Sequence, residues 1–241
     1  MRLVRGALRV IASLSALIIL ILTALELAIF DMKYVDSEMK KYQIAEELKM
    51  EEQDLHTLFA ETLGYLKNER NDLVIQTVVD GQPVEAYNER EKLHMVDVKG
   101  LFTAGFRIRN LALGVFAVSI LLLLILRFRK KQSRECERFS GTVVVTWGLV
   151  LLSIGILGWV ISRDFDAAFI RFHEIFFNND LWMLDPAESL MINMLPEAFF
   201  ADMTLRIGLF VLVPVLVILA GCILVWCISR RKRKQKAEVP G

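Results

Sequence analysis

Four apolar segments dominate the pattern of hydrophobic and polar positions along the chain. A helix needs roughly 20 apolar residues to cross the hydrocarbon core of a bilayer, and each segment approaches or exceeds that length. Polar residues hardly interrupt them, whereas a soluble protein would interrupt such runs at helical or strand period. We therefore expect an α-helical integral membrane protein with four transmembrane helices, near Val10–Phe30, Asn110–Leu126, Gly141–Ser162 and Ile207–Ile228.

The first polar segment between these spans, residues 31–109, shows a mixed pattern. Apolar residues at helical spacing predict a helix over Ser37–Lys67, broken near Met50. Asp80-Gly81 is a hairpin turn signal between two short runs of strand formers. A polar helix is expected from Glu89 into the second span. The segment therefore predicts a small α+β cap whose strands are Leu73–Val79 and Val84–Tyr87, with Pro83 keeping the second strand at an edge.

The second long polar segment, residues 163–206, carries an aromatic stripe at 4-3-4 spacing, which lies on one face of a helix. Such a stripe next to a span is typical of a helix in the headgroup layer. Further along, Asp185-Pro186-Ala187-Glu188 predicts a helix start, with an N-cap carboxylate, proline at N1 and glutamate at N3. Pro196 is expected to interrupt that helix. The stripe consists of Phe165, Phe169, Phe172 and Phe176.

Basic residues cluster at the ends of the spans, although the formal net charge is only +1. Such clusters mark the cytoplasmic side of a membrane protein, so we expect both termini and the loop between the second and third spans to be cytoplasmic. The two long polar segments are acidic on balance and are expected to be extracellular. The basic tail is expected to contact anionic lipid headgroups and not nucleic acid. The clusters are Arg2, Arg5 and Arg9; Arg127, Arg129, Lys130, Lys131, Arg134 and Arg138; and Arg230, Arg231, Lys232, Arg233, Lys234 and Lys236.

These patterns divide the chain into five parts. The first span is longer than the apolar region of a signal peptide, and Glu26 stands where a cleavage site would be sought, which favours an uncleaved anchor. Glu26 is interpreted either as a functional acid within the bilayer or as a group that reaches water at the interface. The expected parts are 1–30, the cytoplasmic N-terminus and first span; 31–109, the extracellular cap; 110–162, the second and third spans with their basic loop; 163–206, the aromatic extracellular segment; and 207–241, the fourth span and the basic tail.

The residue types argue against several classes of chemistry. The three cysteines lie outside the predicted extracellular segments, so these segments contain neither a disulfide nor a thiol nucleophile. His173-Glu174 begins like a zinc-protease motif, but Phe177 stands where the second histidine is needed. The sequence contains no G-x-S-x-G or Walker-type motif, and the spans show no acid–base pair typical of a proton-coupled transporter. We predict no metal site and no cofactor.

Two of the three histidines are candidates for acid–base chemistry. His56 lies among acidic residues on the polar face of a predicted helix and is interpreted as a solvated surface residue. His94 has Asp97 at i+3, on the same face of the predicted helix. The carboxylate either fixes the tautomer of the imidazole or forms with it only a polar patch at the membrane interface. His173 borders the aromatic stripe, which either anchors the helix or provides a poorly hydrated surrounding that shifts a pKa. Two imidazoles, one in each extracellular segment, suit proton transfers on a lipid-borne group.

The same residues carry a resemblance to a known family. Its two sharpest stretches are His94-Met95-Val96-Asp97-Val98-Lys99 and Phe172-His173-Glu174-Ile175-Phe176-Phe177-Asn178, followed by Trp182, Pro186 and Pro196. Together with the four-span topology, these motifs resemble the lipoprotein intramolecular transacylases (Lit) of Gram-positive bacteria. The resemblance implies four membrane helices under an extracellular cap, with a catalytic histidine pair at the interface of cap and membrane.

The resemblance also implies a reaction, in which His94 and His173 are catalytic and no cofactor takes part. The substrate is a diacylglyceryl-modified lipoprotein among membrane lipids, and its sn-2 acyl chain moves to the α-amino group of the N-terminal cysteine. One histidine deprotonates the amine and the other protonates the departing glycerol oxygen, and the sequence leaves open which does which. Ester-to-amide conversion is downhill, and donor and acceptor share one molecule, so neither nucleotide nor acyl-enzyme is needed. The implied supporting residues are Asp97, Lys99 and Asn178. Asp97 would orient His94, and either Asn178 or backbone amides would support the oxyanion. The implied substrate-binding residues are Phe169, Phe172, Phe176 and Trp182.

Two alternatives stay open on the sequence. The first is a membrane lipid- or lipoprotein-binding factor that catalyses nothing, so that replacing either histidine would leave the cellular activity intact. The second is an intermolecular acyltransferase or lipid hydrolase, which would transfer acyl chains to added acceptors or release free fatty acid.

Overall fold

The computed structural model describes residues 2–129 and 135–238, and most of them are helical. The four longest helices are each long and apolar enough to cross a membrane, which confirms the four predicted spans. A two-stranded antiparallel sheet lies in the first polar segment, as predicted. In chain order, the elements are α1 (Arg2–Ile29), α2 (Met32–Lys41), α3 (Ile44–Glu47), α4 (Glu52–Leu66), β1 (Gln76–Val79), β2 (Gln82–Glu85), α5 (Glu89–Arg129), α6 (Glu135–Arg163), α7 (Phe165–Phe176), α8 (Leu190–Met194) and α9 (Glu197–Glu238).

The predicted polar helix and the second span form one continuous helix, α5. Its start is fixed by a reciprocal capping box, in which the Glu91 backbone N–H donates to Asn88 Oδ1 at 3.0 Å and the Asn88 N–H donates to Glu91 Oε2 at 2.7 Å. His94 lies in the second turn of this helix. The candidate histidine is therefore carried by a rigid element and not by a loop.

The predicted helix over Ser37–Lys67 is divided into α2, α3 and α4. Gln43 and Lys49 each adopt a φ of 53°, in the left-handed region where a right-handed helix cannot continue. The break therefore covers all residues between α2 and α4, with the short α3 inside it, and is wider than the predicted break near Met50. Met50 itself is buried.

The hairpin has the predicted turn but a longer second strand. Asp80 and Gly81 adopt φ values of 52° and 73°, the pattern of a type I′ turn. A two-residue turn brings its flanking residues directly into register, so Val79 pairs with Gln82. The second strand consequently begins at Gln82, two residues before the predicted Val84, and residue 87 lies beyond its end.

The second polar segment contains the predicted aromatic helix but not the predicted helix start at Asp185. The Asp185 carboxylate accepts from the Ala187 N–H at 2.9 Å and forms only a turn. The helix starts later, at α8, where the Ser189 hydroxyl accepts from the Ile192 N–H at 3.2 Å. Ser189 is extended, with φ −106° and ψ 112°, as is typical of an N-cap residue, and its hydroxyl also donates to the buried Glu91 at 2.6 Å. This long-range contact overrides the local capping signal.

The described residues form two compact units. The membrane unit contains the residues up to Leu25, the described part of Ile108–Arg163, and those from Gly208 onward; the inter-span unit contains Glu26–Arg107 and Asp164–Ile207. Each unit has its own buried apolar cluster. In the membrane unit, this cluster consists of Leu17, Ala24, Val143, Trp147, Val211, Val215 and Leu219.

Polar contacts also tie the membrane unit together. The Trp147 indole N–H donates to the Ser13 backbone carbonyl at 2.9 Å, and the Ser13 and Thr146 hydroxyls lie 2.6 Å apart. Toward the start of α1, the buried Arg5 guanidinium donates to the Leu126 carbonyl at 2.6 Å and pairs with Glu135 at 3.4 Å. These contacts join α1 to the end of α5 and to α6.

Candidate active site

The structure brings the two candidate histidines together. His94 from α5 and His173 from α7 lie in the inter-span unit with their ring centroids 6.0 Å apart and their ring planes 35° apart. Each residue is only 7 % exposed. The pair is therefore largely shielded from bulk water, although it is composed of side chains that usually lie at the surface.

The tautomer of His173 is fixed by its own helix. Its Nδ1 lies 2.8 Å from the backbone carbonyl of Phe169. Because a carbonyl only accepts, Nδ1 carries the proton and Nε2 keeps a free lone pair. Burial lowers the pKa of His173, and the hydrogen bond to Phe169 opposes this shift. The result is a neutral imidazole that presents a basic nitrogen.

His94 has a different environment. Its Nδ1 is buried and has no hydrogen-bond partner among the described residues. Burial, reinforced by the neighbouring His173, lowers the pKa of His94 to about 4, and the nearby Asp97 opposes this shift. An unpaired buried polar atom is costly, so Nδ1 is a position where a polar group of a ligand would be stabilised.

Aromatic rings surround His173. Trp182 stacks on its imidazole with 4.8 Å between centroids and 29° between planes, and Phe169 lies 4.3 Å away. Phe172 meets the imidazole edge-on at 5.4 Å. Phe176 packs on Phe172 at 4.7 Å, and both of these phenylalanines are about half exposed. Three of the four predicted substrate-binding rings therefore touch His173, and the fourth extends their apolar surface.

Phe177 contacts both histidines and is absent from the predicted site. Its ring centroid lies 5.2 Å from that of His94 and 5.6 Å from that of His173, and it is buried. It stands outside the 4-3-4 stripe. Its position four residues after His173 is the sequence signal that could have identified it. In the structure Phe177 ends α7 with an extended backbone, and its N–H donates to the His173 carbonyl at 2.8 Å.

Asn179 holds the segment beside the pair, a role that the sequence analysis assigns to no residue. The Asn179 side-chain amide donates to Asp97 Oδ2 at 2.8 Å, and its backbone carbonyl accepts from the Trp182 indole N–H at 3.0 Å. Asn178 is exposed. Asp97 is close enough to affect the pKa of His94, but the hydrogen bond of its carboxylate is with Asn179.

Arg90 provides a second attachment for this segment. Its guanidinium donates to the Asp180 backbone carbonyl and lies 3.4 Å from the Asp180 carboxylate. Arg90, His94 and Asp97 are spaced along one face of α5. The same helix face thus presents the histidine and binds the segment that places Trp182 over the other histidine.

Glu91 is a buried acid that the sequence analysis missed. It is 1 % exposed, and its Oε1 accepts from the Ser189 hydroxyl at 2.6 Å and from the Met191 N–H at 2.9 Å. Its other oxygen closes the capping box with Asn88. The spacing of Asn88 and Glu91 is itself a capping-box signal that the sequence contains. Glu91 therefore joins the start of α5 to the start of α8, one turn before His94.

The predicted supporting residue Lys99 and the third histidine, His56, lie away from the pair. Lys99 donates to the Arg70 carbonyl at 2.9 Å and sits 3.9 Å from the centroid of the Tyr65 ring, so it packs against the end of α4. His56 is partly exposed and its Nδ1 lies 2.7 Å from Asp36 Oδ1. Within residues 2–129 and 135–238, no three side chains of the types that bind metals form a group suited to an ion.

Comparisons with known proteins agree with this architecture. A family model described as "Lipoprotein intramolecular transacylase Lit" matches residues 10–200, a range that contains both histidines. Among solved structures, the chain is similar to the membrane integral lipoprotein intramolecular transacylase Lit from Bacillus cereus, with 20 % identity, a TM-score of 0.66, and coverage of 99 % of this chain and 100 % of that chain.

Two further structures of the Bacillus cereus protein, with a histidine-to-arginine and a histidine-to-alanine mutation, are also similar. Each has 20 % identity and a TM-score of 0.63, and they cover 97 % and 98 % of this chain and 93 % and 96 % of theirs. No curated protein sequence matches the chain. At this level of identity, the structural likeness shows a shared fold.

Proposed function

Since the chain belongs to the lipoprotein intramolecular transacylase family, Lit, we propose that it moves the sn-2 acyl chain of a diacylglyceryl-modified lipoprotein to the α-amino group of the lipoprotein's N-terminal cysteine. The product is a lyso-form lipoprotein. The proposed topology has both termini in the cytoplasm and the inter-span unit on the extracellular side, where lipoproteins are anchored. The basic clusters beside the spans support this orientation.

The observation that carries the proposal is the buried, neutral histidine pair. His173 presents Nε2 as a base because its Nδ1–H is held by the Phe169 carbonyl. His94 offers a buried Nδ1 without a partner among the described residues, which suits a transient bond to a substrate oxygen. We assign the removal of the α-amine proton to His173 and the protonation of the glycerol oxygen to His94. His94 gives up its ring N–H to the departing oxygen while the proton held by His173 passes to the other nitrogen of His94, so that both imidazoles end neutral.

The proposed reaction balances within one substrate molecule. The amine nitrogen attacks the ester carbonyl, the new C–N bond forms, the C–O bond to glycerol breaks, and the proton lost by nitrogen ends on the glycerol oxygen. No oxidant, nucleotide or water is consumed. Amine and ester already share one molecule, and confinement in one pocket holds them in reactive contact, which lowers the barrier by up to several kcal/mol.

The surrounding residues receive supporting roles in this proposal. The acyl chains lie against Phe169, Phe172, Phe176 and Trp182, of which Phe172 and Phe176 are half exposed and therefore accessible from lipid. Asp97 acts through its charge on His94 and through its bond to Asn179. Asn178, exposed beside the site, and nearby backbone amides support the oxyanion. Lys99 supports the site indirectly, because it holds α5 against Tyr65 at the end of α4 and against the Arg70 carbonyl in the chain that follows.

The test is mass spectrometry of the N-terminal peptide of a reporter lipoprotein expressed with this protein. The product has the same mass as the substrate, so fragmentation must locate the acyl group on nitrogen or on glycerol. We expect the lyso form with the native protein and the diacylglyceryl form with a free amine for both His94→Ala and His173→Ala. His56→Ala is the matched control, because this histidine pairs with Asp36 outside the site.

Each alternative function predicts a different result in the same experiment. A binding factor without catalysis would leave the reporter in the diacylglyceryl form even with the well-folded native protein. An intermolecular acyltransferase would acylate an added amine acceptor, and a hydrolase would release free fatty acid. Full activity of either histidine variant would refute the two-histidine mechanism.

A further inference from the structure

We propose that the membrane unit holds one anionic glycerophospholipid in a cavity lined by Arg9, Arg138 and Arg230. This space, which we call the arginine cavity, has a volume of about 610 Å³. Its lining residues come from α1, α6 and α9 and all belong to the membrane unit, whereas the histidine pair belongs to the inter-span unit. The lipid site is therefore separate from the proposed reaction.

The charge of the arginine cavity favours an anion. Arg9 is partly neutralised by Glu135, whose carboxylate lies 3.9 Å from its Nε. No carboxylate of the described residues lies within ion-pair distance of Arg138 or Arg230, although Glu137 also lines the cavity. Arg138 is half-buried. Within the described part of the chain, these two guanidinium groups have no carboxylate partner, and together in an open cavity they match the planar, bidentate recognition of phosphate oxygens.

Among the neutral groups that line the arginine cavity, only the indole of Trp226 has a hydrogen-bond donor available for an anion within the described residues. Thr142 donates to the Arg138 carbonyl at 2.9 Å and Thr146 donates to the Thr142 carbonyl at 2.9 Å, so both hydroxyl protons are already used. The Trp226 indole N–H has no acceptor among the described residues. A Cβ at Gly141 would lie 3.2 Å from Trp226 Nε1, so the glycine makes room for this donor at the cavity wall.

Trp226 also places Arg230. The Arg230 guanidinium lies 4.0 Å from the centroid of the indole ring, within the range of a cation–π contact. This contact holds the long side chain over the cavity without neutralising its charge. An arginine and a tryptophan at the end of a membrane helix are also the residue types that anchor a helix at the headgroup level.

An apolar track leaves the arginine cavity along α6 and identifies the occupant as a lipid. Val145 lines the cavity and is 62 % exposed. Leu149, Leu152 and Ile156 follow at helical spacing on the same face, and each is more than half exposed. A phosphate at the arginines would thus continue into an acyl chain along this track. Because the arginines demand net negative charge, a lipid such as phosphatidylglycerol fits and a zwitterionic phosphatidylcholine does not.

The test is native mass spectrometry of the purified full-length protein with phosphatidylglycerol and phosphatidylcholine of identical acyl chains. We expect one phosphatidylglycerol to remain bound and to be preferred over phosphatidylcholine. The Arg138→Ala/Arg230→Ala variant should lose about ten- to thirtyfold in affinity. The matched control is Arg127→Ala/Arg231→Ala, which removes the same charge from exposed arginines of the same region that do not line the cavity. We expect this control to stay within about threefold of the native protein, because exposed charges are screened by salt.

Photocrosslinking tests the site without any substitution in case the double variant does not fold. Phosphatidylglycerol with a photoreactive group near its headgroup should label native peptides that contain residues 142–146 or Trp226. The proposal is overturned if labelling occurs only elsewhere, if both double variants lose affinity equally, or if both lipids bind equally well. Competition by soluble glycerol phosphate at concentrations equal to those of the lipid would assign the cavity to a free phosphate compound and would also overturn the lipid proposal.

Discussion

The indole ring of Trp182 stacks on the imidazole of His173, with 4.8 Å between centroids and 29° between planes. The indole N–H simultaneously donates to the Asn179 carbonyl at 3.0 Å. The ring is thus fixed by a hydrogen bond on one side while it covers the proposed base on the other. This geometry excludes water from one face of His173 and limits how far its ring can turn.

Replacement of Trp182 should therefore slow the reaction without abolishing it. Trp182→Leu removes the stacked ring, and an aromatic pair of this kind contributes about 0.5–1.5 kcal/mol beyond its buried area. We expect a two- to tenfold lower rate of lyso-form product, with Trp182→Phe close to the native rate because it keeps a stacking ring. The measurement is the initial rate on a reporter lipopeptide. Equal rates for the Leu and Phe variants would show that stacking is not the relevant property.

The pH dependence of the reaction should follow from the burial of the pair. Burial lowers the pKa of both His173 and His94, so both rings stay neutral below the ordinary histidine value of 6.5. The reaction starts from neutral imidazoles and is lost when the base is protonated. The nucleophilic α-amine of the substrate also titrates, at about pH 8, so we expect the rate to fall first as the amine is protonated and to show a second, steeper fall below pH 6.5 as the base is protonated. A second break at or above 6.5 would contradict the assignment of these buried rings.

The same shift makes the stability of the protein depend on pH. The pKa of His94 falls from 6.5 in the unfolded chain to about 4 in the folded protein. As the pH falls through this window, the unfolded chain binds a proton first, so the stabilisation that is fully present above pH 6.5 is lost progressively toward pH 4. We expect the thermal midpoint in detergent to fall over this range, and to fall less in His94→Gln, which has no titrating ring. An identical slope in both proteins would contradict this linkage.

The sequence predicts those parts of the fold that are determined locally. Four apolar runs are sufficient to identify the membrane helices, and Asp80-Gly81 identifies the hairpin turn. Helical spacing likewise places His173 on an aromatic face and Asp97 near His94. These features depend on residues within a few positions of one another, which is why a single sequence reveals them.

Contacts between distant segments are what the sequence does not reveal. Ser189 displaces the helix start expected at Asp185 because it bonds Glu91, 98 residues away. Asn179 holds the segment after α7 because its side chain reaches Asp97, 82 residues away, whereas the sequence analysis singles out only its neighbour Asn178, for support of the oxyanion. Either asparagine fits the local pattern equally well, and only the packing of α5 against the segment after α7 distinguishes them.

This distinction between neighbours can be tested with a matched pair of variants. Asn179→Ala removes the bond to Asp97 and loosens the segment that carries Trp182, so we expect about a tenfold lower rate together with a shifted tryptophan emission. Asn178→Ala should leave the emission unchanged, since its side chain is exposed and holds no ring. A loss of rate in Asn178→Ala at unchanged emission would support its proposed role at the oxyanion. If Asn179→Ala retains the native rate and emission, the asparagine does not position Trp182.

The buried carboxylate of Glu91 leads to the last prediction, which concerns stability. Its two oxygens accept from Asn88, Ser189 and Met191, and it is 1 % exposed. Glu91→Gln keeps the size of the side chain but turns one oxygen into an NH₂ donor that faces another donor. Hydrogen bonds to a charged group contribute about 1.5–3 kcal/mol, so we expect a loss of about 2 kcal/mol or more in the free energy of unfolding. The measurement is denaturation in detergent, with Glu89→Gln as the control, because Glu89 is exposed and pairs only with Lys92 among the described residues. Since Glu91 lies one turn before His94, Glu91→Gln should also lower the reaction rate by more than its loss of stability explains. Equal stability of Glu91→Gln and Glu89→Gln would show that the hydrogen bonds between α5 and α8 are unimportant for the fold.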